Sequence, residues 1–148
     1  MLEGRFGDTS GRPYIEGRVY FPRFDLEGDV SFLVDTGADA SLLNPVDVVR
    51  IGVDVDLLEG SAESVGLGGA IQCFVEPAWV IFTATEGTIY VYHSGIEIAP
   101  IQMDMLDLPS LVGRDVLDQW RMVYDPGIGV LEFEVRSADL TITPERSP

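Results

Sequence analysis

One aspartate in this chain stands in a pattern that is able to do acid–base chemistry. Two apolar residues, Leu33 and Val34, run into Asp35-Thr36-Gly37-Ala38, and no second Asp-Thr-Gly or Asp-Ser-Gly follows. Hydrolysis of a peptide bond by carboxylates uses two of them sharing one proton, because like charges a few ångströms apart do not both ionise easily. A chain with one such aspartate must obtain the second from another copy of itself. The motif therefore predicts both a reaction and a dimer.

The residue types next to Asp35 fit that chemistry. The carboxyl must stand at the end of a strand, in a cleft near a two-fold axis, and apolar flanks place it at the edge of a core. Gly37 allows a sharp turn and the close approach of a partner loop, and Thr36 is able to hydrogen-bond across the axis. A lone Asp-Thr-Gly is weak evidence, because Asp-X-Gly is also common in an ordinary turn after a strand.

Two further segments carry signals of the same kind. In Ser110-Leu111-Val112-Gly113-Arg114-Asp115-Val116-Leu117 a glycine separates an apolar strand from a helix, and on its own this is also typical of a buried strand–helix junction. Val65 to Ile71 contains three glycines in a predicted hairpin, which would give a mobile tip able to close over a ligand. A plain glycine-rich loop is the alternative, and neither a dinucleotide fingerprint nor a P-loop fits the glycine spacing.

In this order the three segments resemble those of the retropepsins, the single-domain aspartic proteases of retroviruses and their cellular and bacterial relatives. Leu33 to Asp39 resembles the catalytic loop, Gly66-Leu67-Gly68-Gly69 the flap tip, and Leu111 to Leu117 the apolar-apolar-Gly-Arg-Asn/Asp segment with its helix. The resemblance spans roughly residues 14 to 136, about the size of a single-domain member. It implies a homodimer with the active site at the subunit interface and two flaps over an extended polypeptide substrate.

The resemblance also implies a role for individual residues. Asp35 would be the catalytic acid and base, and Thr36 would make inter-subunit hydrogen bonds. Arg114, placed by Gly113, would form a buried or half-buried pair with Asp39 and brace the catalytic loop. Residues expected to contact substrate are Gly37, Ala38, Asp39, Ala40, Gly66, Leu67, Gly68 and Gly69. The terminal strands that seal the retroviral dimer are not recognisable in this chain.

Short strands separated by glycine turns predict an all-β fold, here a closed barrel of the acid-protease type with one short helix in the C-terminal half. Tyr14 to Phe24 and Val30 to Val34 read as paired strands with a turn over residues 25–29, and Asn44-Pro45 as the start of a helix ending near Ile51. The expected domain covers residues 13–136. Residues 1–12 are expected to form a loose lead-in and residues 137–148 a tail.

Composition restricts the partners and the compartment. The net charge is −16, with nine arginines and no lysine, so binding to nucleic acid or to an anionic membrane surface is not expected. No apolar run is long enough to span a membrane, and the first residues lack a secretory apolar segment. With one cysteine, Cys73, and one histidine, His93, neither a disulfide nor a metal site is expected, and no cofactor is required. These features predict a cytoplasmic protein.

Three functions remain open from the residues. The first is an aspartic endopeptidase working as a homodimer. The second is a catalytically silent dimer of the same fold that binds peptides or acts as a scaffold. The third is an unrelated β-barrel binding protein in which Asp-Thr-Gly is accidental, and it predicts a monomer with Asp35 away from any two-fold axis.

Overall fold

The computed structural model describes residues 1–66, 69–102 and 106–145, and for residues 61–66 and 69–71 it describes the backbone alone. The described ranges are mostly β, as predicted. The strands are β1 Leu2–Glu3, β2 Arg5–Phe6, β3 Pro13–Phe21, β4 Leu26–Val34, β5 Leu42–Leu43, β6 Gly60–Gly66, β7 Gly69–Thr83, β8 Ile89–Ile98, β9 Leu111–Val112, β10 Trp120–Asp125, β11 Val130–Val135 and β12 Leu140–Ile142. The α-helices of the described ranges are α1 Pro45–Ile51 and α2 Arg114–Leu117, and single 3-10 turns cover Val55–Leu57 and Pro126–Ile128.

The hairpin of β3 and β4 leads the chain to Asp35. Its two strands pair antiparallel from Tyr14↔Leu33 to Phe21↔Leu26, and alternate residues of β4, such as Phe32, are buried. The turn covers residues 22–25, where the prediction was residues 25–29, and Asp25 has a positive φ of 52°. Residues 26–29 belong to β4 because they complete the ladder with β3, a pairing that the local turn-like composition of this segment concealed.

The larger sheet joins distant parts of the chain in the order β12-β8-β5-β9-β4-β3-β7-β6. β7 also pairs with β8 over ten residues. The strands β8, β5, β9, β4, β3 and β7 are therefore paired in a ring. β7 runs unbroken from Gly69 to Thr83, well beyond the glycine-rich segment in which the hairpin was predicted. Because β7 contacts β6, β3 and β8 along its length, one long strand serves the hairpin and the body of the protein.

Both ends of the chain contribute strands. β1 pairs with β11, and the side chain of Leu2 is 1% exposed in the core. The expectation of a loose lead-in is therefore wrong for these first residues. Likewise β12 pairs with β8, so residues 140–142 are not a free tail. Sequence pattern alone misses such short strands, since two or three residues are too few to display an alternation.

The two helices follow local rules. Asn44 caps α1, its side chain accepting from the amide of Asp47 at 2.7 Å, and Pro45 opens the helix as predicted. α2 is short, as predicted, and ends at Leu117, because Trp120 pairs with Val135 and buries its ring beside Phe133. None of the helices in the described ranges has the length and apolar character needed to cross a membrane.

Candidate active site

Asp35 follows the last residue of β4 directly and is half-buried. β9 lies parallel to the end of β4, with Val34 opposite Val112, and the amide of Asp35 donates to the carbonyl of Val112 at 3.1 Å. The pairing with β9 therefore fixes the backbone of Asp35 on one side. Its exposure on the other side leaves it accessible from outside the protomer.

The residues after Asp35 form a tight turn around its carboxylate. The amide of Ala38 donates to the carbonyl of Asp35 at 3.2 Å, and the amide of Gly37 donates to Asp35 Oδ1 at 2.9 Å. Oδ2 accepts no hydrogen bond from any residue in the described ranges. Thr36 and Gly37 are exposed, and a Cβ on Gly37 would meet only Asp35 Oδ1, at 3.2 Å. One carboxylate oxygen is thus oriented by the loop, while the other has no hydrogen-bond partner in the described part of the chain.

Gly113 lies against the far side of this loop. It is buried, and a Cβ at this position would come within 2.7 Å of the carbonyl carbon of Ala40 and 2.8 Å of the oxygen of Ala38. Real Cβ atoms do not approach backbone this closely, so no side chain fits without moving the loop. Glycine is therefore required at position 113 because the backbone there packs directly against the backbone of the Asp35 loop.

The start of α2 is hydrogen-bonded to the same loop. The amide of Arg114 donates to Ala38 O at 2.8 Å, and the amide of Asp115 donates to Asp39 O at 3.2 Å. The first amides of a helix have no partner within the helix. Here the loop carbonyls serve as their acceptors, so α2 and the Asp35 loop are positioned together.

A polar cluster beneath the loop was missed by sequence reasoning. The Asp115 carboxylate accepts the amide and the hydroxyl of Ser41, and the hydroxyl of Ser94 at 3.0 Å. Ser41 is fully buried and its hydroxyl also accepts the amide of Gly113 at 3.1 Å. The available signal was a serine set directly before the apolar pair Leu42-Leu43. Its partners come from α2 and β8, which local sequence does not connect.

The ion pair implied between Arg114 and Asp39 is present, formed by Arg114 Nη2 and Asp39 Oδ1. It lies at the surface of the protomer, with 48% of the Arg114 side chain and 87% of the Asp39 side chain exposed. The expected burial of this pair is therefore wrong for the protomer. It uses one guanidinium nitrogen, not the two-pronged geometry that favours arginine over lysine.

The glycine-rich segment forms the predicted hairpin, with β6 and β7 paired from Gly60↔Val75 to Gly66↔Gly69. Gly66 is the last residue of β6 and Gly69 is the first residue of β7. Leu67 and Gly68, expected to form the tip over a substrate, lie outside the described residues. The hairpin is placed in the fold, while its role as a flap stays a prediction.

The remaining reactive side chains are occupied elsewhere. Ser94 donates to Asp115, and the ring of His93 stacks on Trp79 with centroids 5.1 Å apart, so the adjacent histidine and serine do not pair through their side chains. Cys73 is 1% exposed, and burial, with a smaller effect from the charge of Glu97, raises the pKa of its thiol to about 11. No group of three or more potential ligands in the described part of the chain is arranged to hold a metal ion.

The fold is similar to that of a solved structure, a retropepsin-like aspartic protease from Rickettsia conorii. The two share a TM-score of 0.59 and 18% sequence identity, over 90% of this chain and 88% of that chain. Neither a family model nor a curated protein matches the sequence. The chain has a retropepsin-like fold, and this confirms the fold resemblance drawn from the three sequence segments.

Proposed function

We propose that this protein is an aspartic endopeptidase that acts as a homodimer, with Asp35 and Asp35 of the partner subunit as its catalytic dyad. The observation that carries the proposal is the setting of Asp35 within the retropepsin-like fold. The carboxyl group is half-buried at the end of β4, one oxygen accepts the amide of Gly37, and the loop is packed against Gly113. Within each protomer, the ring of strand pairings would form the closed barrel of an acid protease.

In this proposal a water molecule lies between the two carboxyl groups, one ionised and one protonated. The ionised group removes a proton from the water as it attacks, and the protonated group transfers its proton to the carbonyl oxygen of the scissile peptide bond. Attack of the water gives a tetrahedral diol, which collapses with proton transfer to the leaving amine. No covalent bond to the protein forms, and the residues after Asp35 hold the substrate backbone.

The same exposed loop supports the dimer. Thr36, Gly37 and Asp39 are exposed in the protomer, and Gly37 leaves space on its outer side. A second loop related by a two-fold axis would bring two carboxyl groups into hydrogen-bond range. Their coupled titration would give a bell-shaped dependence of rate on pH, with two pKa values that belong to the pair.

The proposal is tested by incubating the wild type with a diverse peptide library and reading cleavage by mass spectrometry. Asp35→Asn should abolish cleavage with little change in thermal stability, because the amide matches the acid in shape but does not carry the shared proton. Asp29→Asn, a change at an exposed acid on β4 six residues before Asp35, is the matched control and should cleave normally.

Two outcomes would redirect the proposal. Cleavage by Asp35→Asn at the wild-type rate would remove Asp35 from the mechanism. A wild-type dimer that binds peptides without cleaving them would favour the silent peptide-binding module. The third function, an unrelated fold with an accidental motif, is contradicted by the likeness to the retropepsin-like structure.

A further inference from the structure

Arg23, in the turn between β3 and β4, contacts both roots of the β6–β7 hairpin. Its Nε donates to Glu76 Oε2 at 3.0 Å and its Nη2 donates to Glu76 Oε1 at 2.8 Å. Nη2 also donates to the carbonyl of Leu57 at 2.8 Å, and Nη1 lies 4.0 Å from a carboxylate oxygen of Glu59. Leu57 and Glu59 precede the first residue of β6, while Glu76 follows the last β7 residue that pairs with β6.

The Arg23–Glu76 pair is unlike the other ion pairs in the described ranges, because its carboxylate is buried. The Glu76 side chain is 2% exposed, and both of its carboxylate oxygens accept hydrogen bonds from the guanidinium group of Arg23. A two-pronged pair of this kind fixes orientation as well as distance. The guanidinium carbon of Arg23 also lies 4.4 Å from the ring centroid of Phe24, so the cation is held on a second side.

The position of this pair matters because of how the hairpin is attached. Among the described residues, β6 pairs with β7 alone, and β7 pairs with β8 only from Phe74 onward. Residues 61–66 and 69–73 therefore form a two-stranded arm whose direction is set at its roots. Two-stranded arms have little stability of their own. A contact that joins both roots to the β3–β4 turn is therefore able to set the direction of the whole arm.

We infer that Arg23 and Glu76 are positioning residues that clamp the two roots of the β6–β7 hairpin and set its direction relative to the body of the protein. The clamp acts through hydrogen bonds and does not touch the reacting atoms. Its consequence for peptide binding rests on the proposed function, in which this hairpin covers the substrate. Its consequence for the motion of the hairpin does not.

Hydrogen exchange measured by mass spectrometry tests the clamp without reference to activity. In Arg23→Met/Glu76→Leu both charges are removed, so no buried carboxylate is left unpaired. We expect amide exchange in residues 60–66 and 69–75 to rise by at least about tenfold while exchange in β3 and β4 stays near the wild-type rate. Arg23→Lys keeps the positive charge beside Glu76 but not the two-pronged geometry, and should give a smaller rise in the same residues.

Arg18→Met is the matched control. Arg18 lies on β3 and pairs with Glu27 and Asp29, both exposed, away from the hairpin roots. Its removal should leave hairpin exchange unchanged. Hairpin exchange within about twofold of the wild type in both Arg23 variants would overturn the clamp, as would an equal rise throughout β3, β4 and the hairpin, which would indicate general destabilisation.

Peptide kinetics then test the consequence for the proposed site. Arg23→Lys should raise KM for peptide by several-fold with a smaller change in kcat, because a displaced arm weakens substrate binding while the Asp35 loop keeps its contacts. An unchanged KM alongside faster hairpin exchange would overturn the positioning role in binding. If the wild type cleaves no peptide, the proposed function fails while the exchange result still decides the clamp.

Discussion

The carboxylate of Asp115 receives both the amide and the hydroxyl of Ser41, at 3.0 and 2.8 Å. Ser41 belongs to the chain that leaves the Asp35 loop, and Asp115 to the first turn of α2. Because the hydroxyl of Ser94 on β8 reaches the same carboxylate, one side chain links three elements beneath the candidate active site. This linkage gives the loop a support that its own sequence does not supply.

Asp115→Asn should lower the free energy of unfolding by about 1–3 kcal/mol, because the amide nitrogen would face a donor where the carboxylate has an acceptor. Peptide cleavage, if present, should fall with it as the loop loses its support. Denaturant unfolding measures the first effect. Asp118→Asn, at an exposed acid just after α2, should change stability by no more than about 0.5 kcal/mol. Equal stabilities of the two variants would contradict this role for Asp115.

Arg114→Ala should reduce the stability of the protomer by less than about 1 kcal/mol, because its ion pair with Asp39 is exposed. Dimer affinity and peptidase activity should fall more, since an unpaired Asp39 would add negative charge beside the proposed dyad. Arg114→Lys should recover much of both, because the observed pair uses a single nitrogen. Sedimentation and peptide kinetics measure these effects. A large loss of protomer stability, or no effect on the dimer, would be inconsistent with this interpretation.

Added salt should strengthen the proposed dimer. Each protomer carries a formal net charge of −16, so two protomers repel one another, and the repulsion falls as the Debye length shortens from about 10 Å at 0.1 M salt to about 3 Å at 1 M. Analytical ultracentrifugation over that range should give a dissociation constant that decreases several-fold. A constant that increases would mean that ion pairs across the interface outweigh the net repulsion, and a monomer at every salt concentration would contradict the dimer itself.

Cys73 should make stability depend on pH above 9. Burial raises the pKa of its thiol from 9.0 to about 11, so the folded state holds a proton that the unfolded chain releases. The stabilisation is fully present below pH 9 and is lost as pH rises through about 11, a change of roughly 2 kcal/mol. Unfolding measured from pH 8 to 11 should show the gap between wild type and Cys73→Ala narrowing by that amount. A constant gap would contradict the raised pKa.

Local chemistry was sufficient for much of the fold and for the centre of the candidate site. The Asn44-Pro45 start of α1, the turn between β10 and β11 and the hairpin of β6 and β7 depend on residues close in sequence. Asp35 was identified because Asp-Thr-Gly after an apolar strand is itself a local pattern. The need for Gly113 was signalled by its position in a motif, although the reason, contact with Ala38 and Ala40, is not local.

Tertiary structure decided the features that depend on contacts between distant residues. Ser41 and Asp115 meet only because β9 lies beside β4 and carries α2 under the loop. Arg23 and Glu76 meet because the long strand β7 passes the β3–β4 turn. The exposure of the Arg114–Asp39 pair likewise follows from packing. A hydrogen bond or an ion pair requires two groups to lie close together in space. Sequence periodicity specifies which face of a strand or helix a residue lies on, but not which distant residue packs against that face.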